Sequence, residues 1–127
     1  MNYIFYDFET TGRESNWDQI IQVGAVLTNS NFQEIDRFEA RCCLRPGLIP
    51  YPQAILVNKS SVKDLTETSL SHFSLIELML IKFKSWGMAI YIGYNSISFD
   101  EEFLRKSLFK NLFDPYLTIN NGNKRSD

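Results

Sequence analysis

The feature that most constrains this chain is a dense apolar strand that ends in two acids. Residues 2–8 are almost wholly apolar or aromatic on both faces, which is typical of a central strand covered on both sides. Asp7 and Glu9 close this run, and a Thr-Thr-Gly sequence follows at 10–12. Because side chains alternate along a strand, the two carboxylates point the same way, about 7 Å apart. Two such acids repel each other unless a cation such as Mg²⁺, which prefers oxygen ligands, lies between them.

The same residues also have an ordinary interpretation, which is two solvated carboxylates at the end of a strand. A lone Asp-x-Glu occurs by chance at many strand ends. The dense strand before the acids and the Thr-Thr-Gly sequence after them favour a metal site. Residues 10–12 offer hydroxyls, backbone N–H groups and a flexible glycine hinge beside the metal.

The rest of the chain predicts a mixed α/β layout of three antiparallel strands followed by helix–strand–helix. The predicted elements are strands over 2–8, 19–28 and 32–44, a helix over 73–86, a strand over 88–94 and a helix over 99–113. Short helical pieces are expected between 53 and 70, and 120–123 is read as a loop. We expect the first strand and the strand ending near Tyr94 to be neighbours. The chain ends where one more strand or helix is expected.

Apolar residues at helical spacing give each predicted helix an inward face. Ser74 with Glu77 resembles a capping box, Gly87 is placed to end the first helix, and Pro115 stops the second. The residues expected to face inward are Leu75, Ile76, Met79, Phe83 and Trp86 on the first helix, and Phe103, Leu104, Leu108, Leu112 and Phe113 on the second.

A second acidic signal lies where the buried strand meets the last helix. Asp100 falls in the first helical turn and is followed by Glu101 and Glu102. Acids near a helix N-terminus favour the helix dipole, and Ser98 with Glu101 resembles a capping box. That explanation covers Asp100 less completely, because strand-to-helix junctions of α/β sheets are also where functional sites collect.

Charge and hydropathy leave the function open. The 13 basic and 15 acidic residues give a net charge of −2, without the basic bias usual for nucleic-acid binding. No signal peptide and no stretch of about 20 apolar residues is found, so we expect a cytoplasmic location.

Taken together, the motifs resemble those of the DEDDh (DnaQ-like) superfamily of 3′–5′ exonucleases. Residues 7–12 look like its first motif and residues 93–100 like its second. The stretches at 17–22, 113–116 and 121–127 are similar to the exodeoxyribonuclease I family, and the resemblance runs from end to end. It implies a ribonuclease-H-like mixed sheet and removal of nucleoside monophosphates from the 3′ end of single-stranded DNA. It also implies two Mg²⁺ ions, for which Mn²⁺ can substitute.

The resemblance also implies a role for individual residues. Asp7 is similar to the ligand that bridges both metals, and Glu9 to a ligand of the first metal that also lies close to the terminal nucleotide. Asp100 resembles a ligand of the second metal, through water. Thr10 and Thr11 correspond to residues that hold the last nucleotide.

Arg105 and Tyr116 match positions that contact the DNA strand in the family. Their chemistry suits this task, since arginine pairs with phosphate and tyrosine can stack on a base. Without the resemblance, an exposed helix arginine and an aromatic after a proline turn would be the preferred interpretations.

One motif of the family is missing from this sequence. The third motif, His-x-x-x-x-Asp, supplies the general base and another metal ligand, and it follows the second motif. The chain has one histidine, His72, which precedes the second motif and is interpreted as a surface residue at a helix start. We therefore expect residues 1–127 to be a C-terminally truncated, partial exonuclease domain that is inactive and poorly stable by itself.

The expected partners are single-stranded DNA and, in the intact enzyme, a single-stranded-DNA-binding protein, with a monomeric state. Two alternatives stay open: a module that binds single-stranded nucleic acid without cutting it, and a structural domain whose acids are incidental. A His-x-x-x-x-Asp motif farther along the reading frame would separate the enzyme from the binding module. Metal titration would separate both from the structural domain.

Overall fold

Strands and helices follow one another in the order that the sequence pattern predicts, with one additional strand at the end. The computed structural model describes residues 1–12, 14–44, 70–93, 101–117 and 123–126. Neither helix in these ranges is long and apolar enough to cross a membrane. The elements are β1 (Asn2–Thr10), β2 (Ile20–Thr28), β3 (Glu34–Arg41), α1 (His72–Ser85), β4 (Ala89–Gly93), α2 (Glu101–Lys110) and β5 (Lys124–Ser126). The short helical pieces expected over 53–70 fall almost wholly outside the described residues.

The five strands form one mixed sheet in the order β3-β2-β1-β4-β5. β1, β2 and β3 pair antiparallel, which confirms the predicted meander. β4 runs parallel to β1, with Tyr6 opposite Gly93, so these two strands are neighbours as expected. The carboxyl ends of β1 and β4 therefore lie side by side at one end of the sheet. Ligands bind beyond the carboxyl ends of the strands in many α/β proteins.

A fifth strand was not predicted, and the expectation that the element after the last helix is absent is wrong. β5 pairs parallel with β4, with Ile90 opposite Lys124. The Asn123 amide anchors it: its Oδ1 accepts from the Ala89 N–H at 3.0 Å, and its Nδ2 donates to the Leu117 carbonyl at 2.8 Å. Its three polar residues carry no alternation of apolar side chains, so the pattern gives no strand signal.

Alternation along β1 divides its side chains between a buried and an open face. The buried face joins one hydrophobic core with both helices, through Ile4, Tyr6 and Phe8. The prediction that β1 is covered on both sides is confirmed for this face only. On the opposite face, Tyr3 and Phe5 are partly exposed; in the described part of the chain, Phe32 stacks on Tyr3 with ring centroids 5.1 Å apart.

Helix α1 begins one residue earlier than expected, and its cap is a different serine. Ser71 is the N-cap and its hydroxyl accepts from the Ser74 N–H at 3.1 Å, so the predicted Ser74 capping box is wrong. This start places His72 in register with the inward residues Leu75 and Ile76. His72 is therefore buried, and its interpretation as a surface residue is also wrong. Gly87 ends the helix as predicted, with φ +75°.

Trp86 is only half-buried and ties the end of α1 to the edge strand β3. Its indole N–H donates to Asp36 Oδ2 at 3.0 Å, and the Lys82 ammonium lies 2.8 Å from the same oxygen. Hydrogen bonds from Lys82 and then Trp86 lower the pKa of Asp36 to about 2. This contact fixes α1 against the sheet.

Helix α2 ends earlier than its apolar spacing predicts, which turns Leu112 outward. The Phe113 N–H donates to the Leu108 carbonyl at 2.8 Å and the Leu112 N–H to the Phe109 carbonyl at 3.0 Å, the pattern of a Schellman motif. Leu112 takes the left-handed position with φ +63° and is 94% exposed, so the expectation that it faces inward is wrong. Phe113 packs against the core, as predicted.

Leu112→Gly should stabilise the chain by about 0.5–1 kcal/mol, because glycine adopts the left-handed conformation without the steric cost of a Cβ. Thermal unfolding should show a rise in Tm of about 2–5 °C. Leu112→Ala is the matched control, since it removes the exposed isobutyl group but keeps the Cβ. An equal gain in both variants would show that backbone geometry is not the cause.

Candidate metal and nucleic-acid site

The two acids of β1 lie on the open face of the sheet, at its carboxyl end. Asp7 is exposed and Glu9 is half-buried. Asp7 stands opposite Gly24 of β2, which has no side chain, and a cavity of about 560 Å³ opens over this pair. Phe5 and Ile92 line the floor of that cavity. The Asp7 carboxylate is therefore accessible to a ligand, beside the point where β1 and β4 meet.

Glu9 carries the clearest electrostatic perturbation of the site. Burial first, and then the negative charge of Asp7, raise the pKa of Glu9. Arg41 acts in the opposite direction. It lies on β3 opposite Gln22, which in turn stands opposite Glu9. Two carboxylates on one face, one of which bears an unfavourable charge, are a donor set whose charge a divalent cation would stabilise.

The strand ends in an irregular turn whose hydroxyls are already engaged. The register of β1 and β2 shifts between Glu9 and Thr10, a bulge of the kind common beside active sites. Thr10 Oγ1 donates to the Gly12 carbonyl at 2.7 Å. Thr11 Oγ1 donates to Asp18 Oδ1 at 3.0 Å and accepts from the Gln19 N–H at 3.0 Å. The predicted nucleotide contacts of Thr10 and Thr11 stay a prediction, and these internal bonds restrict them.

Gly12 allows a close approach that a side chain would block, while the flexible hinge predicted from the sequence stays a prediction. A Cβ built on Gly12 would lie 2.7 Å from Asp18 Cγ and 2.8 Å from Asp18 Oδ1. The Asp18 carboxylate is held there by Thr11 and by the Glu14 N–H, which donates to Oδ2 at 3.0 Å. Sequence reasoning assigned no function to Asp18, although it is the side chain that shapes the turn after the acids.

Asp100 lies outside the described residues, so its approach to Asp7 and Glu9 stays a prediction. The described residues before and after Asp100 lie beside β1 and beside the turn at residues 14–17. Gly93 stands opposite Tyr6 in the sheet, and Glu102 Oε1 accepts from Ser15 Oγ at 2.7 Å. The elements that flank Asp100 are therefore anchored next to β1 and the turn that follows it.

The two predicted DNA contacts lie in different places. Arg105 is half-buried on α2, one turn after Glu102, and its charge contributes to lowering the pKa of Glu102. Tyr116 is half-exposed and follows α2, next to Leu117, whose carbonyl bonds to the Asn123 that holds the amino end of β4. The structure thus places Tyr116 at the opposite end of the sheet from Asp7 and Glu9.

A group of side chains that the sequence did not single out joins α2 to the turn at 14–17. Lys106 Nζ donates to Asn16 Oδ1 at 2.7 Å and to Glu102 Oε1 at 2.9 Å. Lys110 Nζ donates to the carbonyls of Asn16 at 2.7 Å and Ser15 at 3.2 Å. Hydrogen bonds from Ser15 and then Lys106 lower the pKa of Glu102. The contacts between α2 and the turn join residues 87 to 95 positions apart, so local patterns cannot reveal them.

Among the described residues, no group of three or more His, Cys, Asp or Glu side chains is arranged to hold a metal ion. Asp7 and Glu9 supply two carboxylates on one face, and the third predicted ligand, Asp100, is outside this part of the chain. Oxygen-only donors with an open approach fit Mg²⁺ or Mn²⁺, which prefer such ligands.

Comparison with known proteins gives concordant matches. Exodeoxyribonuclease I of Buchnera aphidicola subsp. Baizongia pistaciae is 30% identical over 100% of this chain and 27% of its own length. An exonuclease I from Methylocaldum szegediense superposes with a TM-score of 0.91 at 30% identity, over 99% of this chain and 27% of that one. Escherichia coli exonuclease I in complex with a dA16 oligonucleotide gives 0.92 at 25% identity, over 99% and 28%.

These matches confirm the predicted ribonuclease-H-like fold and the similarity to exodeoxyribonuclease I. The chain spans less than a third of the length of these relatives. A family profile described as exonuclease matches residues 4–124, which is nearly all of the chain. The chain therefore belongs to the exonuclease family.

Proposed function

We propose that this chain is part of an enzyme that removes nucleotides from the 3′ end of single-stranded DNA by hydrolysing phosphodiester bonds. The observation that carries the proposal is the position of Asp7 and Glu9. They lie on the open face of β1, at the end of the sheet where the carboxyl ends of β1 and β4 are neighbours. The chain that carries them belongs to the exonuclease family. The relatives' own length supports an enzyme longer than these 127 residues.

In this proposal Asp7, Glu9 and Asp100 hold two divalent cations, Mg²⁺ or Mn²⁺. When bound, such ions would act as Lewis acids that stabilise negative charge on the attacking and leaving oxygens at phosphorus. Asp7 would be accessible to the ions, because it is exposed and no side chain stands opposite it on β2. Glu9, half-buried and beside the turn at 10–12, would hold a metal ion close to the terminal nucleotide.

The substrate contacts follow from the same arrangement. The turn at 10–12 borders the site, and Thr10 and Thr11 shape it through their internal bonds, so their contacts with the terminal nucleotide would come chiefly from the backbone. Arg105 on α2 would pair with a phosphate near the site. Tyr116, at the far end of the sheet, would stack on a base several nucleotides upstream.

The general base is assigned to a His-x-x-x-x-Asp motif outside this chain, because His72 is buried in the core face of α1. We propose that the full-length enzyme acts as a monomer in the cytoplasm, with a single-stranded-DNA-binding protein as a partner.

The test is directional trimming by the full-length protein of a single strand labelled at its 5′ end. With Mg²⁺ we expect a ladder of labelled strands that shorten one nucleotide at a time from the 3′ end. The nucleotides should be released as nucleoside monophosphates, and EDTA should stop the reaction. A 3′-terminal phosphorothioate linkage should block the ladder. Metal-independent cutting, or internal cleavage of a circular strand, would contradict the proposal, and tight binding without trimming would indicate the non-catalytic module.

A further inference from the structure

The turn at residues 14–17 presents Trp17 to solvent, with three quarters of its side chain exposed. Single exposed apolar side chains are common on protein surfaces and need no function by themselves. Trp17 differs because the turn that carries it is fixed in place by polar contacts from two directions. The backbone that carries the indole is therefore held in one place.

The first set of contacts lies within the turn itself. The N–H groups of Trp17 and Asp18 both donate to the Glu14 carbonyl, at 3.1 and 2.7 Å. The Asn16 N–H donates to Glu14 Oε1 at 3.2 Å. The turn therefore has its own hydrogen-bonded shape before any other element packs against it.

The second set comes from α2, as described above for Ser15, Lys106 and Lys110. Ser15 is buried, with 6% of its surface exposed, and its hydroxyl bonds to Glu102. The two lysines bring ammonium groups to the side chain of Asn16 and to the carbonyls that precede Trp17. Two ammonium groups thus contact the residues directly before Trp17. Cations for the phosphates and an aromatic face for a base are the combination that single-stranded nucleic acid favours.

The turn also lies near the end of β1 that carries Asp7 and Glu9. Trp17 is three residues before Ile20, and Ile20 stands opposite Thr10, the residue after Glu9. Three extended residues span at most about 10 Å, so Trp17 is held close to the end of β1 that carries the acids.

We propose that Trp17 is a stacking platform for an unpaired base of the single strand that leaves the site. This inference rests on the proposed function and adds a substrate-positioning residue to it. Lys106 and Lys110 are positioning residues in the same device, because they hold the turn and do not themselves need to touch the base.

The experiment is a titration of a fluorescently labelled poly-dT strand of about 16 nucleotides, with 3′-terminal phosphorothioates, against the full-length protein in Mg²⁺. We expect Trp17→Ala to weaken binding by about 5- to 100-fold, the range for loss of one base–aromatic stack. The slope of affinity against salt should not change, since stacking releases no counterions. Trp17→Phe should restore most of the affinity, because phenylalanine keeps an aromatic face.

A second readout separates stacking from a structural effect. DNA should quench part of the tryptophan emission of the wild-type protein, and this part should vanish in Trp17→Phe although that variant still binds. Phe109→Ala is the matched control, since Phe109 is a similarly exposed aromatic (70%) that lies on α2 and outside the turn at residues 14–17. This variant should bind the strand like the wild type.

The outcomes distinguish the two proposals. If wild type does not bind the strand, the proposed function fails and the Trp17 inference fails with it. If wild type binds and Trp17→Ala binds equally well, or Trp17→Phe is as weak as Trp17→Ala, only the Trp17 inference is overturned.

Discussion

Asp7→Asn in the full-length protein should reduce Mg²⁺-dependent trimming by at least about 10³-fold. Loss of a single transition-state hydrogen-bond donor costs 10²–10³-fold in enzymes, and a carboxylate shared by two cations contributes more than one donor. The substitution keeps the size of the side chain and removes only its charge. Turnover of a labelled single strand, measured at saturating Mg²⁺, checks the prediction.

The fold should tolerate this change. Asp7 is exposed, and its negative charge is one of the causes that raise the pKa of Glu9, so removing it relieves repulsion in the metal-free protein. We expect Tm to be unchanged or slightly raised. Glu39→Gln is the matched control: Glu39 lies on the same face, in register with Asp7 across Gly24, and has no assigned role in the site. Trimming that survives in Asp7→Asn, or is lost equally in Glu39→Gln, would refute the assignment of Asp7.

The central strand and its acids could be predicted from sequence because they depend on local alternation alone. The dense run through Phe8 favours a strand within a sheet, and alternation then places Asp7 and Glu9 on one face. The neighbouring position of β1 and β4 was predicted because Asp7, Glu9 and Asp100 are expected to share one metal site, and the parallel pairing of the two strands confirms that position.

The prediction failed where a backbone motif or a distant contact overrides the periodic pattern. Apolar spacing continues through Leu112, but the helix has already ended, because a Schellman motif formed without glycine redirects the chain there. β5 has no apolar pattern and depends on the Asn123 amide and on pairing with β4. His72 was interpreted as exposed because its burial depends on which serine caps α1.

Gly12→Ala should destabilise the turn that follows Asp7 and Glu9, because it introduces a side chain where Asp18 lies close to the backbone. The added Cβ would lie 2.7 Å from Asp18 Cγ, well inside the contact distance of two carbons. Asp18 cannot move aside without losing its bonds from Thr11 Oγ1 and the Glu14 N–H, both 3.0 Å long. We therefore expect destabilisation of about 1–3 kcal/mol, as for other overpacked sites, measured by denaturant unfolding.

Gly24→Ala is the matched control for this experiment, because a Cβ at Gly24 meets nothing within 4 Å. It should be neutral or slightly stabilising, since alanine restricts the unfolded chain more than glycine does. A double-mutant cycle then isolates the contact: in an Asp18→Ala background the added methyl has room, so Gly12→Ala should cost much less than in the wild type. If the cost is the same in both backgrounds, Gly12 is needed for its backbone freedom and not for the approach of Asp18, and the hinge interpretation would be supported.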